Sequence, residues 1–144
     1  MSDPRSSRFH PLPAEALARL NRQRGYVAQL LNDQFAGAQL SGGRSDLAIL
    51  QEVVDAQVLR PDQRWELQSL GVAFGDALIG MIEGLAWCEV TDEYGTDPTL
   101  RYRDTSFQVN ALTTISKRIE SGKPVDLQKM AAWLASTVVT AKPD

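Results

Sequence analysis

A chain of 144 residues with 43% hydrophobic and 23% charged side chains suits one domain that buries most of the surface its unfolded form would expose. Its net charge of −3 at pH 7 argues against broad attraction to nucleic acid or anionic lipid, so neither nucleic acid nor membrane is an expected partner. The single Cys88 excludes an intrachain disulfide, and the single His10 removes His-based zinc sites and most His-dependent catalysis.

In chain order, residues 1–10 are expected to be flexible, with Phe9 alone able to pack and His10 facing solvent. The first residues lack the apolar segment of a secretory signal, and no run approaches the ~20 apolar residues of a membrane span, so the expected location is cytoplasmic. Residues 11–60 read as a helical region. Pro13 fits a helix start, and Leu17, Leu20, Val27, Leu30, Leu31 and Phe35 recur at helical spacing over about six turns. The Ser41-Gly42-Gly43 run makes a loop; with Arg44 and a Ser45 cap a local anion site is physically conceivable, but the phosphate-loop pattern and its Lys are absent. Leu47, Leu50, Val53, Val54 and Val58 mark a shorter second helix.

Residues 61–140 read as an α+β core. Pro61 is expected to open a central helix, apolar on nearly every face apart from the seven-spaced polar stripe Ser69, Asp76, Glu83. Gly71 and Gly75, one turn apart, would let another element approach closely. Asp76, in otherwise apolar surroundings, needs a nearby Arg, Lys or backbone donor, or solvent. After Gly84, residues 85–91 read as a strand with Ala86, Cys88 and Val90 on one face and Trp87, Glu89 and Thr91 on the other. Residues 92–98 read as a turn ended by Pro98, residues 100–103 as a second strand, and 106–109 as a third. Asn110 and Asp126 are expected to cap two further helices. The expected architecture is α+β: a small antiparallel three-stranded sheet packed on a central helix, with two N-terminal and two C-terminal helices.

The richest polar cluster is Asp92, Glu93, Asp97, Arg101, Arg103 and Asp104. Its order does not match the calcium-loop pattern, and so polar a turn is poorly suited to raising a carboxyl pKa for acid/base work. No metal or cofactor is expected. Cross-strand pairing of Arg101 and Arg103 with Glu89 and Thr91 is the plain structural reading. A functional one makes the outer sheet face, with Trp87, Glu93, Tyr94, Arg101 and Arg103, a partner-binding surface, because aromatics and arginines are enriched in binding hot spots.

LGVAFGDAL at 70–78, the W-x-x-V-x-DEYG-x-DP-x-LRY series at 87–102 and TTISKRIESG at 113–122 resemble the bacterial domain of unknown function 3806 family over roughly Leu67 to Leu134. The resemblance implies that Gly71, Gly75, Asp76, Trp87, Asp92, Glu93, Gly95, Pro98, Arg101 and Lys117 are signature positions, with Asp97 beside Pro98. It implies a bacterial setting and no assigned activity. The expected role is a non-catalytic protein-binding module, of the immunity or antitoxin type that occludes a partner protein, itself a monomer or homodimer. The alternative is a small enzyme using Asp76, Asp92, Glu93 and Asp97, with or without Mg²⁺.

Overall fold

Among the described residues, apolar side chains at helical spacing build five helices, and an antiparallel sheet of four strands completes an α+β architecture. The computed structural model describes residues 8–93 and 95–141. In chain order these form β1 (Phe9–His10), α1 (Ala14–Gln34), α2 (Asp46–Asp55), α3 (Arg64–Met81), β2 (Leu85–Asp92), β3 (Gly95–Tyr102), β4 (Gln108–Val109), α4 (Ala111–Glu120) and α5 (Leu127–Val138). The expectation of flexibility for residues 1–7 falls outside the described residues. Among the described residues no helix is long and apolar enough to cross a membrane.

The sheet has the order β1-β2-β3-β4, one strand more than expected. Phe9 and His10 pair with Val90 and Glu89 at the edge of β2, so the end of the N-terminal segment is ordered, although His10 does face solvent. Phe9 lies under the Arg101 guanidinium, 4.2 Å from its ring centroid, a cation–π contact that holds two residues no strand propensity would mark.

The hairpin is also longer and tighter than the sequence suggests. β2 and β3 pair continuously from Leu85↔Tyr102 to Asp92↔Gly95, and Glu89 stands opposite Pro98. The expected turn over 92–98 therefore shrinks to the space between Asp92 and Gly95. Gly95, at φ 123°, absorbs the reversal in a conformation other residues rarely adopt. Pro98 is buried, and β3 accepts it because β4 pairs only at Leu100 and Arg101, so no β4 partner is left waiting for the N–H it lacks.

This register keeps the expected alternation along β2 but puts Arg101 on the face opposite Trp87. Leu85, Trp87 and Glu89 stand opposite Tyr102, Leu100 and Pro98, while Ala86 and Cys88 stand opposite Arg101 and Thr99. Trp87 and Leu100 point toward the helices. Arg101 points the other way, toward Phe9, and does not pair with Glu89.

α3 is the helix around which the rest packs. Leu67, Leu70, Val72, Ala73, Phe74, Ala77 and Leu78 are all buried, on every side of it. It starts at Arg64 rather than at Pro61, because residues 60–63 form a separate turn: Gln63 N–H donates to the Arg60 carbonyl, and Arg60 N–H donates back to Gln63 Oε1. Its principal neighbours are α4 and α1, and the sheet reaches it mainly through Trp87. Gly71 is where α4 crosses: a Cβ there would meet the main-chain carbonyls of Ala111 and Leu112. Gly75 makes room for the Trp87 ring, 2.6 Å from where a Cβ would sit. At Asn110 the side chain does not cap α4 but accepts from the Thr99 hydroxyl at 3.2 Å; Asp126 does cap α5, accepting from Lys129 N–H at 3.1 Å.

Candidate functional site

Asp76 finds its partner on α1. The Arg24 guanidinium donates Nε–H to Oδ2 at 2.8 Å and Nη2–H to Oδ1 at 2.9 Å, a two-pronged pair that fixes α1 against α3. The Trp87 indole N–H donates to the same Oδ1 at 2.9 Å, so one carboxylate joins α1, α3 and β2. The hydrogen bonds and charge of Asp76 hold the Arg24 pKa above its ordinary value against the opposing effect of burial. Arg24 Nη1 also donates to Asn21, leaving the guanidinium fully oriented.

Beside this group opens a cleft of about 510 Å³ between α1, α3 and the loop over residues 37–46. Val27, Leu31, Leu40 and Ala73 give it an apolar floor; Arg24, Asp76, Asn32, Gln39 and Asp46 supply its polar atoms. Its size and mixed lining fall within the range of ligand-binding clefts.

The loop wall is built by Asp46, the first residue of α2, whose carboxylate is 1% exposed. Oδ1 accepts from Ser41 N–H at 2.8 Å and from the Ser41 hydroxyl at 3.2 Å, and Oδ2 accepts from Gly42 N–H at 2.7 Å. The glycine-rich loop does hold an anion, but the anion is the chain's own. Those main-chain donors are spent on Asp46, and Ser45 makes no capping hydrogen bond. On its far side the loop seats against α3, where a Cβ on Gly80 would overlap the Gly42 carbonyl.

Of the residues singled out from sequence, Gly71, Gly75, Asp76 and Trp87 lie together on or against α3. Asp92, Glu93, Gly95, Asp97 and Pro98 lie on the hairpin, with Tyr94 outside the described residues. Asp92 is five residues along β2 from Trp87, about 17 Å at strand rise, so Asp76 does not share a site with the hairpin carboxylates. Nor do Trp87 and Arg101 share a face. Arg101 donates Nε–H to the Thr105 carbonyl at 2.7 Å while covering Phe9. Arg103, at φ 47°, donates its N–H to the Gly84 carbonyl at 2.9 Å, and its guanidinium lies 5.3 Å from the Tyr102 ring centroid. Lys117 is exposed on α4. Among the described residues no group of three or more His, Cys, Asp or Glu side chains is gathered to hold a metal ion. Sequence reasoning missed Arg24 and Asp46. The demand of Asp76 for a cation was visible, but nothing distinguishes Arg24 from Arg19 or Arg22 until α1 is docked.

The model of the family described as a domain of unknown function (DUF3806) matches residues 46–130. The chain belongs to this family. The DUF3806 segment carries Asp46, Asp76 and Trp87, whereas Arg24 and most of the cleft-lining loop precede it. No curated protein matches the chain. A crystal structure from Bacteroides thetaiotaomicron VPI-5482 is similar with a TM-score of 0.78 at 19% identity, over 89% of this chain and 46% of that one. The likeness shows the fold. The chain thus spans less than half the length of that solved relative.

Proposed function

We propose that this DUF3806 chain is a non-catalytic protein-binding module that receives a segment of its partner in the cleft between α1, α3 and the 37–46 loop. The observation that carries this reading is the state of the cleft's walls. Asp76 is held by three donors and Asp46 by three others, so both carboxylates are fixed as structure and neither stands free as a general base. What they frame is an apolar floor with oriented polar atoms at its rim, the usual make-up of a recognition surface. An immunity or antitoxin role is the form this takes when the partner is a toxic protein.

The test is capture of the partner from native cell extract on the tagged chain, wild type against Ala28→Trp. Ala28 lines the cleft yet is exposed, so the indole fills the space without entering the core. A stoichiometric partner should be retained by wild type and lost by Ala28→Trp, with unchanged circular dichroism. Retention at the wild-type yield overturns the placement. Glu93→Lys, at the exposed hairpin end, asks in the same assay whether the hairpin adds a contact. Arg101 is unsuitable for that purpose because its reversal would release Phe9.

A further inference from the structure

We infer that the group this cleft selects is a primary ammonium, the side chain of a partner lysine; the inference rests on the binding-module reading above and adds the chemistry of recognition. The charges lining the cleft do not balance. Arg24 contributes one cation, Asp46 and Asp76 two anions. Arg24 is turned onto Asp76, and among the described residues no ion pair reaches Asp46. The loop amides and the α2 N-terminus meet Asp46 with partial charges only, which do not cancel its formal charge. A cleft with low-dielectric walls focuses that excess toward whatever enters.

The count of acceptor sites then chooses among cations. A carboxylate offers about four lone-pair positions. On Asp76, Oδ1 is filled by Arg24 and Trp87, while Oδ2 holds one bond and keeps one position open. On Asp46, Oδ1 is filled by Ser41 twice, and Oδ2, bonded to Gly42, keeps one. A guanidinium binds best to two acceptors of one carboxylate at once, which Asp76 has already given to Arg24. An ammonium needs only single acceptors. Asp76, with 27% of its side chain exposed, supplies the contact, and Asp46 supplies the field from beneath. The methylene stem of a lysine lies along Val27, Leu31 and Leu40.

The experiment titrates the full isotope-labelled chain, followed by amide NMR, with three acetylated and amidated pentapeptides of alanine whose central residue is lysine, norleucine or glutamate. The lysine peptide should shift the amides of Leu31, Leu40, Asp46 and Asp76. It should bind at least about tenfold tighter than the norleucine peptide, with the glutamate peptide weakest, and lose that margin as salt is raised. Asp46→Asn, which removes the charge and keeps one of the two oxygens that the loop donors use, should bring lysine and norleucine to parity. Equal binding of lysine and norleucine by wild type overturns the ammonium assignment and leaves the module reading standing. So does silence of the cleft amides toward lysine while Ala28→Trp still loses the partner. Retention of the partner by Ala28→Trp overturns the placement of the partner in this cleft, and the ammonium assignment with it.

Discussion

Gly71 and Gly75 sit one turn apart on α3 and make room for different neighbours, main chain at one and an indole ring at the other. Gly71→Ala drives a methyl into two carbonyls of α4 that cannot swing aside, so overpacking exceeds the ~1 kcal/mol gained in helix propensity. A net loss of about 1–2 kcal/mol in urea denaturation is expected. Gly25 is the control. It lies in exposed α1 with nothing within 4 Å of a new Cβ, so Gly25→Ala should raise stability by up to about 1 kcal/mol. Trp87→Phe keeps a ring over Gly75 and removes the donor to Asp76; water reaches that carboxylate, so the expected loss is about 1 kcal/mol. Cys88 makes a prediction about pH. Burial pushes its thiol pKa up, and Arg101 offsets only part of the rise. The thiol stays protonated at neutral pH, so alkylation by iodoacetamide should be slow in the folded chain and fast in urea. The unfolded state sheds this proton first, so the thiol's contribution to stability is constant at neutral pH and declines above about pH 8.5.

At the scale of elements, the smallest strand tests the account most sharply. Phe9→Ala removes the ring beneath Arg101, and with it the reason β1 stays on β2. Amide exchange should quicken at Glu89 and Val90 and not in α3, with a stability loss of about 1 kcal/mol. The helices were legible because each writes its buried face into a period: Leu20, Val27, Leu30 and Leu31 in α1, or Leu112 and Ile115 in α4, with Asp126 capping α5. What escaped was set by contacts distant in sequence. Pro98 reads as a breaker, yet β3 accepts it where β4 does not reach. The inward face of β2 could not be read either, because Trp87 and Cys88 are both apolar enough to be buried, and only the Gly75 recess and the Asp76 acceptor decide for the indole. Asp76 itself was legible as a residue in need of a partner. The cleft was not, since Arg24, Asp46 and the loop lie on three elements whose meeting no local pattern encodes.

For the whole molecule, a large core cluster runs without interruption through all five helices and the sheet, and Trp87 also packs against the smaller cluster of Leu20, Val72 and Leu112. A core so shared makes the helices and the β2–β3 pair melt together. Urea transitions followed by far-ultraviolet circular dichroism and by tryptophan fluorescence should therefore coincide, and separate midpoints would contradict the shared core. The sheet at the surface of that core has another property. β2 and β3 are eight residues long, and among the described residues each has only two positions paired on its outer side, by β1 and by β4. The sheet is thus an eight-residue ribbon with short clips, and the part of β3 left exposed is its hairpin end, residues 95–97, the kind of edge on which a foreign strand can align. Asp97 places a charge on that exposed stretch, so Asp97→Val should lower solubility, read as light scattering at high concentration, before the fold itself gives way.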